Sequence, residues 1–64
     1  MRQVRIRALF TPKAKMRWFK EWEINHAAWT FKEARGSIYN ESDALVEVER
    51  LHRYGFKTAV ICDA

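Results

Sequence analysis

Residues 40–64, NESDALVEVERLHRYGFKTAVICDA, decide the fold. Asn40 precedes an apolar repeat and offers a side-chain oxygen to the free amides of a helix start. Asp43, three residues on, is the acidic partner of a variant capping box. Ala44, Leu45, Val48, Leu51 and His52 fall within one arc at helical spacing, which predicts an amphipathic helix over about 41–54. Glu41 and Asp43 in its first turn and Arg50 and Arg53 in its last complement the helix dipole, and Glu49 with Arg53 makes an i,i+4 pair. Gly55 then supplies the left-handed residue that closes the helix. Beyond it, Thr58 to Cys62 is apolar on both parities, which predicts a buried strand over about 56–62 in the interior of a sheet.

The first third of the chain carries a different period. Val4, Ile6, Ala8 and Phe10 alternate with Gln3, Arg5, Arg7 and Leu9, the pattern of a half-buried strand. Thr11 to Lys15 reads as a turn. Past it Met16, Trp18, Trp22 and Ile24 share one parity, and Arg17, Phe19, Glu21 and Glu23 the other, so a second strand completes an N-terminal hairpin whose apolar face only Lys20 interrupts. Folding that hairpin about Lys13 brings Arg5 near Glu21 and Arg7 near Phe19 or Glu21 and predicts opposite-charge pairs across the polar face. The competing reading takes Thr11 as an N-cap and Pro12 as the first residue of a long helix, with Trp18, Trp22 and Trp29 at helical intervals. Asn25 breaks that stripe.

Between hairpin and helix, residues 26–36 admit two readings. Ala27, Ala28, Phe31 and Ala34 fit one face of a short helix capped by Asn25 and Gly36, whereas Trp29 to Tyr39 also fits a third strand. The whole is a single α+β domain over residues 1–64, in two layers. Its expected core is Val4, Ile6, Trp18, Trp22, Leu45, Val48, Leu51, Phe56, Val60 and Ile61.

A chain this short buries only about 60% of its unfolded surface, and the common staples of small folds are missing. With one cysteine, Cys62, no intrachain disulfide forms, and neither His26 nor His52 stands at zinc-ligand spacing. Aromatic packing, from three Trp, four Phe and two Tyr, or a homodimer that shares its core, takes their place. A reducing, cytoplasmic setting fits the cysteine usage. The N-terminal segment has no apolar run of the kind a signal peptide or membrane anchor needs, so no membrane association is expected.

Chemistry-bearing constellations are few. Cys62 with His52 has the composition of a thiol and its base, but Cys62 sits in an apolar strand rather than the electropositive, accessible setting a thiolate needs. Glu21 with Glu23 would share a strand face, opposite arginines rather than in a cleft that separates their pKa values. Two glycines provide neither a phosphate-cradling loop nor a nucleotide fingerprint. The expectation is therefore a protein that is not an enzyme, with no metal, cofactor or small-molecule substrate.

Charge is the strongest functional signal. The net charge of +4 conceals about +7 over the first twenty residues, which contain no acid, and about −3 over the rest. Arg5, Arg7, Lys13, Lys15, Arg17 and Lys20, with Phe19 as a stacking ring on the same face, predict a surface for nucleic acid or an acidic macromolecular partner. The bland use of such cations is to keep an edge strand from aggregating. A second reading starts from the aromatic surplus. Phe19, Trp29, Phe31, Val46 and Tyr54 are left over once the core is filled and would form a protein interface, as in a stoichiometric inhibitor or adaptor. In general outline the layout resembles small accessory proteins of bacteriophages and mobile elements.

Overall fold

The computed structural model describes residues 2–10 and 15–64. Strand β1 (Gln3–Ala8) is followed by β2 (Arg17–Glu23), β3 (His26–Thr30), a 3-10 turn (Glu33–Arg35), β4 (Tyr39–Asn40), helix α1 (Glu41–Arg53) and β5 (Val60–Asp63). All five strands join one antiparallel sheet. The α+β class, the N-terminal hairpin and the presence of a C-terminal strand agree with the sequence, and that strand bonds to β1. Of the expected turn over Thr11–Lys15, residues 11–14 lie outside the described residues, and Arg17–Glu23 is strand, so a helix running from Pro12 through Trp22 does not form. The middle segment does form a third strand, but at His26–Thr30 rather than Trp29–Tyr39, and its helical part is confined to a three-residue 3-10 turn, so Ala27 and Ala28 are in the sheet and not on a helix face.

β1 is the central strand. One edge pairs with β5, from Val4 opposite Asp63 to Arg7 opposite Val60. The other edge is shared: β2 takes Arg7 and Ala8, opposite Trp18 and Arg17, and β4 takes Gln3 and Val4, opposite Asn40 and Tyr39. The first hairpin thus pairs over two residues and then splays. Residues 37–40 fill the gap, with the Ser37 amide donating to Phe19 O at 3.1 Å. This register overturns the predicted charge pairs, because Arg5 faces Cys62 on one edge and meets no residue of β2 on the other.

Directly opposed residues project to one face, and the registers sort the side chains. Val4, Ile6, Ala8 and Phe19 face α1 and, with Ala44, Leu51 and Ala59, form the buried core. Trp18, paired with Arg7, is buried on the opposite face. A bulge reconciles this with Trp22. Phe19 opposes Trp29 and Glu21 opposes Ala28, so Lys20 is an extra residue and the parity of β2 inverts across it. Trp22 therefore returns to the helix side, where its indole N–H donates to Glu47 Oε2 at 2.5 Å. The carbonyl of Lys20 in the bulge accepts from Ser37 Oγ at 2.5 Å and Tyr39 OH at 3.1 Å.

Helix α1 begins and ends where the sequence places it, within one residue. Asn40 occupies the N-cap position, but its side chain makes no capping bond; the Glu41 amide donates instead to Arg2 O at 3.0 Å. Gly55, at φ 101°, closes the other end. Its amide reaches His52 O at 3.1 Å and that of Phe56 reaches Leu51 O at 3.0 Å, a Schellman motif. The Arg53–Glu49 pair closes at 2.7 Å.

Two expected core residues are exposed instead. Leu45 is 51% exposed on a flank of α1, and Val60 46% exposed on the face without a helix. The C-terminal strand is shorter than expected, four residues, and it lies at an edge, paired only with β1. Its apolar run is divided rather than buried throughout. Ala59 and Ile61 turn to the core, while Val60 and Cys62 turn the other way.

Candidate interaction surfaces

The sheet has a covered side and an open one. Opposite α1 the turn around residues 33–37 lies on the sheet, so close to Trp18 that a Cβ on Gly36 would stand 2.9 Å from Trp18 Cβ. Arg5 and Arg7 project from the central strand onto this side. Arg5 Nε reaches Gly36 O at 3.4 Å, and Arg7 Nε is buried without a hydrogen-bond partner. Trp18 and Val60 flank Arg7, Cys62 flanks Arg5, and Glu21, opposed to Ala28, shares the face further out along the hairpin.

The predicted basic cluster is therefore divided. Arg5 and Arg7 share the open face, whereas Arg17, opposed to Ala8, is on the helix side. There its guanidinium lies between two rings, 4.2 Å from the centre of Phe10 and 4.8 Å from that of Phe31. Lys15 and Lys20 are exposed, the latter in the bulge, and Lys13 lies outside the described residues. Phe19 corrects the stacking expectation. It is fully buried, packed among Trp22, Trp29 and Tyr39, because the pairing of Ala8 with Arg17 puts Arg17 and Phe19 on the helix side of the sheet.

Among the described residues the carboxylates in ion pairs take Arg2, His26 and Arg53, and none takes Arg5, Arg7, Lys15, Arg17 or Lys20. Arg2 departs from the basic run of which it seemed part. It bridges Glu41 and Asp63, each at 2.6 Å, and so ties α1 to β5.

The alternative interface set divides as well. Phe31, Val46 and Tyr54 are exposed, whereas Phe19 is buried and Trp29 is half-buried between Phe10 and Phe56. Val46 and Tyr54 line a shallow groove on the outer side of α1 with Glu49, Arg50 and Arg53. Arg50 lies 4.2 Å over the Trp22 ring, and Trp22 is 4.9 Å from Tyr54. A second groove, lined by Leu9, Phe10, Gly55, Phe56, Lys57 and Thr58, opens where β1 ends.

His52 and Cys62 are not partners. His52 is on α1, and its Nε2–H donates to Ala59 O at 2.8 Å, fastening the helix to the approach to β5; Cys62 is on the opposite side of the sheet. Among the described residues no three His, Cys, Asp or Glu side chains come together as a metal site, and no helix is long and apolar enough to cross a membrane. The fold also shifts the titration of Tyr39. Burial, reinforced by the charge of Glu47, raises its pKa above the ordinary value near 10, against the opposing hydrogen bond with Ser37. In comparisons with protein-family models, with curated proteins and with solved structures, nothing matches this chain.

Proposed function

We propose that this chain is a non-catalytic binding protein whose basic N-terminal half engages a polyanion, nucleic acid first among them, across the open face of the sheet. One observation carries the reading. Arg5 and Arg7 project from the central strand, which is paired on both edges, onto the face of the sheet opposite α1, and among the described residues neither is in an ion pair. Lys20 in the bulge and Lys15, two residues before β2, are exposed and extend the positive field.

With Phe19 withdrawn into the core, the contacts are to phosphates rather than to bases, so binding should be tolerant of sequence and steeply dependent on salt. Fluorescence anisotropy with single- and double-stranded DNA and RNA at low and high salt tests this. Replacing Arg5 and Arg7 together with Glu should abolish binding at moderate salt, and replacing them with Gln should lower the salt slope by about one for each phosphate no longer neutralised. Absence of binding to every probe at low salt rejects the nucleic-acid reading.

A second reading rests on Val46, Tyr54 and Arg50 on the outer side of α1, an exposed aliphatic and aromatic pair with a stacked cation, the composition of interface hot spots. It makes the chain a stoichiometric inhibitor or adaptor of another protein. Affinity capture after nuclease treatment separates the two. A partner that survives nuclease and is lost with Tyr54→Ala favours the second reading, and nuclease-sensitive capture alone favours the first.

A further inference from the structure

The hairpin joining β2 and β3 breaks a local rule. Glu23 pairs with His26, so the loop has two residues, Ile24 and Asn25, and the first has φ 52°. That position in a two-residue hairpin loop belongs to Gly, or to Asn, because a β-branched side chain at positive φ crowds its own backbone. Here an isoleucine occupies it, and it is 98% exposed, packed against nothing that would compensate. Both the backbone and the side chain would be better served by glycine. A residue that costs the isolated fold twice over points to a role outside it.

The tip is also the acidic end of the molecule. Glu21 and Glu23 are exposed on its flanks, with His26 Nε2 at 3.4 Å from Glu23. At the other end of β2, about 20 Å away at ~3.3 Å per residue, is the groove beside the end of β1, about 330 Å³ in volume and floored by Leu9, Phe10 and Phe56. Its charge is opposite. Lys57 lines it, and Arg17 packs on the same Phe10 ring. One chain thus carries an apolar knob with acidic flanks and an apolar groove with basic flanks, at opposite ends.

We propose that the Ile24 tip of one copy docks in the Leu9–Phe10–Phe56 groove of a second copy, with Glu23 of the first facing Lys57 of the second. The contact joins unlike surfaces. It closes as an antiparallel pair in which each tip finds the other's groove, or continues as a longer series.

Sedimentation velocity over a range of protein concentration, at low and high salt, tests it with the purified chain alone. The wild type should associate with rising concentration, less so at high salt. Ile24→Gly should weaken association at least about tenfold, the effect of losing one buried aliphatic anchor, while its thermal midpoint stays level or rises because glycine accepts the turn. Glu23→Lys and Lys57→Glu should each impair association alone and recover it when the two variants are mixed, since an intact tip then meets an intact groove. A wild type that stays monomeric throughout overturns the proposal and leaves Ile24 to a different partner. Association that Ile24→Gly does not alter, or that the mixture does not restore, overturns it as well.

Discussion

Helix α1 and strand β2 are held by opposite means. The helix is closed by its own neighbours: a Schellman turn at Gly55, the Glu49–Arg53 pair, and first- and last-turn charges matched to its dipole. Strand β2 is joined locally to β3 by a two-residue loop, but its place in the sheet is not local: it meets β1 at two residues, bulges, and depends on Ser37 and Tyr39 from far along the chain and on rings from other segments. Local bonds make an element that forms in the same place in many contexts. Long-range bonds make one whose very parity is decided by what packs on it, and that dependence carries Phe19 inward and leaves Arg5 and Arg7 half-buried on the face opposite α1.

Perturbing the two elements should separate them. Phe19→Ala is expected to have the largest effect, a loss of about 3–5 kcal/mol in chemical denaturation, because Phe19 joins β2 to β3, β4 and the core. If the loss falls below that of a surface substitution, the bulged register is wrong. Gly36→Ala comes next, at about 1–3 kcal/mol, since its methyl would collide with Trp18 Cβ, a point with no freedom to swing aside. Tyr39→Phe removes one bond to the bulge carbonyl and should cost about 0.5–1.5 kcal/mol at neutral pH.

The same substitution has a signature in pH. The fold favours the protonated Tyr39 phenol, so the stability that this contributes is complete below the ordinary tyrosine pKa near 10 and is lost as pH rises through the elevated value. Thermal midpoints measured through that range should fall less steeply in Tyr39→Phe than in the wild type. Smallest of all is Asn40→Ala. A working N-cap side chain is worth about 1 kcal/mol, but this one makes no cap bond, so a change of a few tenths is expected. A loss near the full value would show that the side chain caps the helix in solution.

These contrasts explain what could be read beforehand. The span of α1, the cap position of Asn40, the left-handed Gly55 and the Glu49–Arg53 pair all follow from residues within a few positions of one another. The strand in β1 was legible for a similar reason, since its alternation is unbroken. The alternation of β2 misled, because a bulge inserts one residue and a period of two has no way to signal it. Two clues stood in the sequence: adjacent Trp18 and Phe19, which can both be buried only if both faces are covered, and Lys20 in the midst of an apolar stripe. The candidate site carried a different error. The arginines of β1 were legible as a pair, but their union with Arg17 and Phe19 depended on a hairpin register one residue away from the actual one, in which Arg7 opposes Trp18 and Ala8 opposes Arg17. Arg2 was read as part of the run because nothing local shows that Glu41 and Asp63 come to meet it.

The central position of β1 has a consequence for how the chain reaches its fold. Val4 is bonded between Tyr39 and Asp63, and Arg7 between Trp18 and Val60, so the strand nearest one terminus is completed only by the strand nearest the other. Loops of very different length must close before the same few residues are satisfied, and the longest closure is the slowest. Helix α1 can form early and often, yet it has no complete surface to settle on until that closure occurs. Refolding followed by stopped flow should accordingly be slow for so small a chain, with a rate set by the meeting of its two ends; a helical-bundle rate in microseconds would contradict this order of events.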